Sequence, residues 1–297
     1  MKVFLNDKVI DDTEAHISVS DSGFLYGMGL FETMRCTGQK VFALDDHLAR
    51  LFNSAKELAI NNPYDKKYIA DAIKQTLEAN NLADARLRLT LTNGPMVADG
   101  ESKATLLITA IQFEPYPHEY YEKGVRVVLT DFRQNPHDPI VKHKTTNYFS
   151  RLLALNIAHQ KNAAEALWFT TDNQLAEGCV SNVFFIKDSV LYTPMLDTPV
   201  LPGIMRKTVC QIAKAQSISL VEKDLTIQEL LAADEVFLTN VIMLILPVVA
   251  VEAHTVGNGK VGPMAKKMKE YIRELNDPEA DKLTEDQLNI ITINKLR

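Results

Sequence analysis

Cysteine is scarce in this 297-residue chain, and the three present, Cys36, Cys179 and Cys210, lie far apart. An odd number of widely spaced thiols makes neither a disulfide framework nor a zinc-binding pattern, so a reducing cytoplasm is expected. The seven histidines never recur at the i, i+4 spacing of a helical metal site, and no metal is expected. No apolar run is long enough to span a bilayer, and the opening Met1-Lys-Val-Phe-Leu-Asn-Asp-Lys8 has no apolar segment of signal-peptide length. Blocks of like charge are also missing. A net charge of -6, evenly spread, recommends neither nucleic acid nor a membrane surface as partner. There is no internal repeat and no low-complexity stretch. Glycines do cluster at Gly23, Gly27 and Gly29, but no strand precedes them and no Gly-Lys-Ser/Thr follows, so they are no phosphate loop.

What is present is an ordinary globular composition, 46% hydrophobic and 24% charged, in a chain long enough for two domains. Residues 1–10 predict a hairpin turning at Asn6-Asp7, and His16-Ile-Ser-Val a short strand. Phe31 to Cys36 and Val41 to Leu44 predict further strands, and a helix capped by Asp45 or Asp46 runs to about Ala59. A second helix over 64–80 and two alternating strands, Arg86–Leu91 and Ala104–Ile111, follow. The loop Asn93–Gly100 between those strands is of the sort that covers a site. Glu114-Pro-Tyr-Pro-His118 reads as an extended connection. The expected organisation is therefore a smaller α/β domain over 1–113, a linker over 114–124 and a larger domain over 125–297 with a polar tail from about 276. Strands and helices alternate irregularly, giving an α+β or mixed α/β class.

In the second half, Val125–Thr130 is a strand, 146–160 a helix, and Ala166–Thr170 and Gln174–Ile186 a hairpin. A helix begins at Leu201-Pro-Gly-Ile-Met-Arg-Lys207, another covers 226–232, the strand Glu235–Thr239 ends at Asn240, and a last helix covers 264–275. Lys144 falls just before the helix of 146–160, where a cation is disfavoured by the helix dipole. Alone, it reads as a solvated lysine. Glu177, between apolar residues on a strand, needs a partner if it is buried. Gly203-Ile204-Met205 places free N–H groups at a helix start, which suits a phosphate. Asn240 to Ile242 offers more backbone donors, and Arg50 a charge-assisted one. An amine, a phosphate site and a carboxylate are the parts that hold pyridoxal 5′-phosphate.

Taken in order and spacing, these segments resemble the class IV aminotransferases, the fold type IV pyridoxal-phosphate family. That family includes branched-chain and D-amino acid aminotransferases and aminodeoxychorismate lyases. The resemblance covers Val3 to about Tyr271. It rests on Tyr26-Gly-Met-Gly-Leu-Phe-Glu-Thr-Met-Arg35, His47-Leu-Ala-Arg-Leu51, Lys144-Thr-Thr-Asn-Tyr148, Glu177-Gly-Cys-Val-Ser-Asn-Val-Phe184, Leu201–Arg206 and Ala233–Val241. It implies a two-domain fold of the D-amino acid aminotransferase type and a homodimer. It implies Lys144 as Schiff-base lysine and proton shuttle, Glu177 facing the pyridine nitrogen, and Tyr148 near the cofactor. Arg50 and the N–H groups of Ile204, Met205, Val241 and Ile242 would hold the phosphate, although many relatives carry a hydroxyl where Val241 stands. Tyr26, Arg35 and Arg88 would lie toward the substrate.

The expected reaction is transfer of an amino group between an amino acid, branched-chain-like or D-configured, and a 2-oxo acid. The same apparatus could instead release pyruvate and 4-aminobenzoate from aminodeoxychorismate. The tight Lys144-x-x-Asn147 spacing leans that way; the absence of an arginine at Thr92-Asn-Gly94 leans against it. A cofactor-free binding protein on the same fold is the third reading.

Overall fold

The protein is described here by a computed structural model covering residues 1–96 and 103–275. The tip of the expected Asn93–Gly100 loop and the polar tail therefore lie outside the described residues. The first half runs β1 (Lys2–Leu5), β2 (Lys8–Asp11), α1 (Ser22–Tyr26), β3 (Gly29–Thr37), β4 (Lys40–Val41), α2 (Leu44–Glu57), α3 (Lys66–Ala79), β5 (Ala85–Thr92) and β6 (Thr105–Gln112). Its strands form one six-stranded sheet in the order β2-β1-β6-β5-β3-β4. β3, β5 and β6 alternate, so Leu30, Met34, Leu87, Leu89, Leu106 and Ile108 turn to one face. There they meet Leu48, Leu51, Ile69 and Ile73 of α2 and α3 in a single buried cluster. Phe31, Thr33 and Arg35 turn to the opposite face.

A short helix, α4 (His118–Lys123), leads into the second half. There follow β7 (Val125–Gln134), α5 (Phe149–Gln160), β8 (Glu165–Thr170), β9 (Leu175–Gly178), β10 (Asn182–Lys187), β11 (Val190–Pro194), α6 (Ile204–Ala215), β12 (Leu220–Lys223), α7 (Ile227–Leu231), β13 (Glu235–Asn240), β14 (Leu244–Val251), β15 (His254–Thr255) and α8 (Pro263–Leu275). A nine-stranded mixed sheet orders eight of these β12-β11-β10-β13-β14-β7-β8-β9, with β15 on β14. α6 and α8 bury Met205, Val209, Met268 and Ile272 against Phe184, Phe237 and Ile245. On the other face, Ala154 and Ala158 of α5 pack with Val128, Ala166 and Trp168.

Several local expectations are revised. The helix expected to be capped by Asp45 or Asp46 starts at Leu44. Ala43 is its N-cap, in the left-handed region at φ 48° with no side-chain cap, and the two aspartates instead occupy the first turn. They still favour the helix, through its positive end. His16 to Val19 form no strand. α1 was not foreseen, because its five residues are too few for periodicity; Asp21 caps it by accepting the Gly23 N–H at 2.8 Å. The expected 174–186 strand is broken at Cys179–Ser181 into β9 and β10, with consequences for the site.

The revision that matters most concerns Lys144. The helix starts at Phe149, not 146. Lys144 lies in an extended stretch laid along β3, where the Phe31 N–H donates to the Lys144 carbonyl and the Thr146 N–H to the Gly29 carbonyl, each at 2.9 Å. The small sheet thus grips the lysine's backbone, and no helix dipole opposes its charge.

Candidate active site

Lys144 sends its amine between two aromatic rings, 4.6 Å from the centre of Phe31 and 5.7 Å from that of Tyr148. Among the described residues it has no hydrogen-bond acceptor. Burial first, and the Arg50 guanidinium second, push this amine down to about 7. Near neutral pH a sizeable fraction is therefore unprotonated. Tyr148 ends the extended stretch as the N-cap of α5, its ring edge-on to Phe31 at 5.2 Å. Burial pushes its hydroxyl well up, so it remains a donor, and it bonds the Cys179 carbonyl at 3.0 Å.

One helical turn further, Arg151 pairs with Glu177 at 2.5 Å. Glu177 is 2% exposed at the end of β9 and is held from four directions. Gln134 Nε2 (3.0 Å) and Arg151 meet one oxygen; Asn182 Nδ2 (3.4 Å) and the Leu201 N–H (3.0 Å) meet the other. These bonds satisfy a buried carboxylate and fix its direction. The last two also lead straight to the start of α6, since Asn182 Nδ2 donates in addition to the Leu201 carbonyl at 3.0 Å.

α6 begins at Ile204 with Gly203 as N-cap. No side chain caps it, and its first turn holds no acidic residue. Its first N–H groups are therefore left without a side-chain cap, as an anion site requires. A β-carbon on Gly203 would stand 1.9 Å from Asn182 Oδ1, so only glycine lets the helix start come this close. Arg50 reaches across from α2 and donates to the Pro202 carbonyl at 3.0 Å. Its Nε and Nη2 are clasped by Glu32 at 2.8 and 2.6 Å. Glu32 also accepts from His47 Nδ1 at 2.7 Å. Burial alone would raise the Glu32 carboxyl, but Arg50 and His47 override it and hold it at about 2. Because a carboxylate cannot donate, His47 carries its proton on Nδ1. Burial pushes His47 down, and its bare, buried Nε2 has no partner among the described residues.

Val241 and Ile242 share a hydrophobic cluster with Ile204 and Met205, so the turn after β13 adjoins the start of α6. Asn240, however, uses its side-chain oxygen to accept the N–H groups of Ile242 (2.9 Å) and Met243 (2.8 Å). The Ile242 N–H is thus committed inside the turn, and Val241 is the member of that expected pair not so engaged.

The three residues expected toward the substrate separate. Arg88 on β5 lies 3.8 Å over the Phe31 ring, the ring that also faces Lys144. Arg35, four residues along β3, stacks instead on Phe113 at 4.2 Å. Tyr26 is 61% exposed at the end of α1. α1 is nonetheless close to the lysine stretch, because Thr146 Oγ1 (2.8 Å) and Asn147 Nδ2 (2.9 Å) both donate to the Gly27 carbonyl.

Sequence patterns gave no role to Phe31, Glu32, His47, Gln134, Arg151 or Asn182. Glu32 could have been found, since it shares the inward face of β3 with Leu30 and Met34, where a carboxylate must have partners. Arg151 stands one helical turn after Tyr148 in an apolar run, a weaker sign. Gln134, at the end of β7, gave none.

The donor set suits pyridoxal phosphate. An amine with a lowered pKa, a fixed carboxylate, an uncapped helix start and a clamped guanidinium converge through shared contacts.

The family model described as amino-transferase class IV matches residues 29–251, well over half of the chain. A Methanocaldococcus jannaschii protein provisionally named a branched-chain-amino-acid aminotransferase is 36% identical over 282 residues, 93% of this chain and 96% of that protein. A D-alanine aminotransferase of Listeria innocua is 30% identical over 281 residues, 92% and 96% respectively. Among solved structures, a T.th. branched-chain amino acid aminotransferase with pyridoxamine 5′-phosphate superposes at a TM-score of 0.88, with 27% identity, covering 95% of this chain and 96% of that one. A Legionella pneumophila structure provisionally named a 4-amino-4-deoxychorismate lyase superposes at 0.82, with 27% identity, covering 89% and 97%.

Proposed function

The chain belongs to the class IV aminotransferase family, pyridoxal-phosphate-dependent enzymes, and from that premise we propose that it transaminates branched-chain-like amino acids with a 2-oxo acid as acceptor. The observation that carries this reading is the setting of Lys144 Nζ between the rings of Phe31 and Tyr148, with Arg88 over the first ring. Aromatic walls beside the reacting amine suit an apolar side chain, and a guanidinium at their edge suits a carboxylate.

Bound pyridoxal phosphate supplies the carbonyl that takes up the substrate's amine and the ring that takes up the electron pair released at Cα. Lys144 Nζ, unprotonated in part near pH 7, is placed to hold the cofactor, and then to remove the Cα proton and return it. Glu177 would hold the ring nitrogen and keep its proton in place. Arg50, the N–H groups of Ile204 and Met205 and that of Val241 would hold the phosphate. Tyr148, tied to Cys179, holds one wall beside Lys144.

A lyase reading drew on the Lys144-x-x-Asn147 spacing. Asn147 has a structural use here, donating to Gly27, which weakens that support. Purified protein incubated with leucine and 2-oxoglutarate should yield glutamate, and more of it than with D-alanine. Formation of 4-aminobenzoate from aminodeoxychorismate with no glutamate from either donor would reject transamination. Faster turnover of D-alanine would reject the branched-chain assignment.

We also propose a cytoplasmic homodimer, each chain with domains at 1–113 and 125–297 joined by 114–124. Each half has its own sheet and buried cluster, which favours the division. Three free thiols suit a reducing compartment, and among the described residues no helix is long and apolar enough to cross a membrane. Phe24, Tyr26 and Phe149 are 76%, 61% and 80% exposed, on α1 and at the start of α5, which Asn147 ties together. Such aromatic exposure favours burial against a second copy. Light scattering would detect the dimer.

A further inference from the structure

Glu165 opens β8 and is 1% exposed, yet no step above uses it. One of its carboxyl oxygens accepts the Cys179 N–H at 2.6 Å, and the other has no partner among the described residues. A β-carbon on Gly178 would stand 2.2 Å from the first oxygen and 2.3 Å from the Ser181 hydroxyl. The carboxyl therefore occupies the space beneath Gly178 that a side chain would fill, immediately beside Glu177.

The turn resting on this carboxyl breaks what would otherwise be one strand. The Gly178 N–H donates to the Ser181 carbonyl at 2.8 Å. Its other carbonyls each meet a different arm of the site. Gly178 accepts from Arg151, the partner of Glu177, at 3.2 Å. Cys179 accepts from the Tyr148 hydroxyl, beside Lys144, at 3.0 Å. Val180 accepts from Asn240 Nδ2 at 3.0 Å, and the Asn240 oxygen organises the 241–243 turn on the phosphate side. A small movement of this turn would shift the carboxylate, the aromatic wall and the phosphate side together.

A buried carboxyl with one oxygen unpartnered is a poor choice for stability alone, and an apolar residue would pack there without that cost. Resting on the active-site reading above, we infer that Glu165 is a positioning residue, whose oxygen on the Cys179 N–H fixes the Gly178–Ser181 turn and so aligns Glu177, Tyr148 and Asn240 on the cofactor. Burial pushes its carboxyl up to about 7, against the opposing pull of the Ser181 hydroxyl and the Cys179 and Val180 N–H groups of the same turn.

The test compares Glu165→Gln with Glu165→Asp in the full-length protein loaded with pyridoxal phosphate. Glutamine keeps an oxygen acceptor at the same reach, whereas aspartate withdraws it by about 1.5 Å. Glu165→Asp is expected to weaken pyridoxal-phosphate binding, measured by titration of the apoprotein, by about tenfold. It should also move the pH midpoint of the bound cofactor's visible absorbance and lower kcat more than it changes KM. Glu165→Gln should match wild type in all three. Gly178→Ala, which thrusts a methyl group at the same oxygen, should shift the midpoint as aspartate does and serves if Glu165→Asp fails to fold. A well-folded Glu165→Asp with wild-type affinity and midpoint would overturn the proposal, as would a Glu165→Gln as impaired as Glu165→Asp. Wild-type protein run alongside separates the two readings. If it takes up no cofactor, the active-site reading falls and this inference falls with it. If it loads normally beside an unaltered aspartate variant, only the inference fails.

Discussion

Phe31 holds Lys144 twice. Its N–H donates to the Lys144 carbonyl at 2.9 Å, and its ring lies 4.6 Å from the Lys144 amine. Backbone and side chain of one strand residue thus set both the position and the surroundings of this nitrogen. The apolar ring replaces water that would otherwise stabilise the ammonium, which is part of why burial dominates its shift to about 7.

The sign of that shift gives a pH prediction. The folded value is below the ordinary lysine value of 10.5, so the unfolded chain binds more protons between about 7 and 10.5, and apoprotein stability should rise with pH across that interval. The neutral amine is the form that reacts. Uptake of pyridoxal phosphate by apoprotein, followed by visible absorbance, should therefore accelerate through roughly pH 7 and level off above it. A rate still climbing near pH 10, as for an ordinary lysine, would contradict the assignment.

Replacement of Lys144 itself should remove the visible absorbance and the transaminase activity while leaving the fold intact, since the hydrogen bonds that hold this stretch to β3 are made by its backbone. Lys144→Ala should show a wild-type far-ultraviolet dichroism spectrum. Lys142→Ala, two residues away, should keep both absorbance and activity. The reverse result would move the reactive amine to Lys142.

How far this site could be read from sequence varied with the physics of each part. The uncapped start of α6 and the lysine stretch were legible, because glycine, proline and a lysine beside a helix leave local marks. Even so, helix periodicity misplaced Lys144 at a helix start, since the extended pairing with Gly29 and Phe31 depends on a strand over a hundred residues earlier. The commitment of the Ile242 N–H to Asn240 was hidden for a different reason. An asparagine bonding its own turn looks, in sequence, like any other asparagine. The clamp on Arg50 unites residues from β3 and α2, and only the inward position of Glu32 hinted at it.

That clamp is open to direct test. Glu32 is 1% exposed and holds both Arg50 and His47, so Glu32→Gln leaves a guanidinium half-paired and should cost about 3 kcal/mol in urea unfolding. The wild-type carboxyl, depressed from 4.5 to about 2, contributes stability that is fully present above pH 4.5 and lost as pH falls toward 2. The variant should lose this acid sensitivity, and it should bind pyridoxal phosphate more weakly because Arg50 is no longer aimed. Unchanged acid unfolding would place the relevant carboxylate elsewhere.

Substitution of Arg88 can separate substrate recognition from cofactor binding. It touches Phe31 but none of the groups assigned to the cofactor. Arg88→Leu should keep the visible absorbance and pyridoxal-phosphate affinity while raising KM for 2-oxoglutarate, the acceptor with the extra carboxylate, by about tenfold or more. KM for a monocarboxylate acceptor such as 4-methyl-2-oxopentanoate should change less. Equal changes for both acceptors would assign Arg88 to the shared carboxylate; no change for either would return it to a structural role.

Gly203 brings the start of α6 up against Asn182, and through it Glu177. Its backbone φ of −66° is ordinary, so no conformational strain demands glycine, and the constraint is purely the 1.9 Å approach of Asn182 Oδ1 to the missing β-carbon. A methyl group there must displace Asn182, which at 3.4 and 3.0 Å links Glu177 to the Leu201 carbonyl. Gly203→Ala should therefore cost about 1–3 kcal/mol by overpacking. It should also weaken phosphate binding, measured with inorganic phosphate as competitor of cofactor uptake. The double variant Gly203→Ala with Asn182→Ala removes the clash, and stability should recover beyond the sum of the single effects, because the two residues share one space. Simple additivity would mean that the helix start and Asn182 do not meet, and that the close approach joining phosphate site to carboxylate is absent in solution.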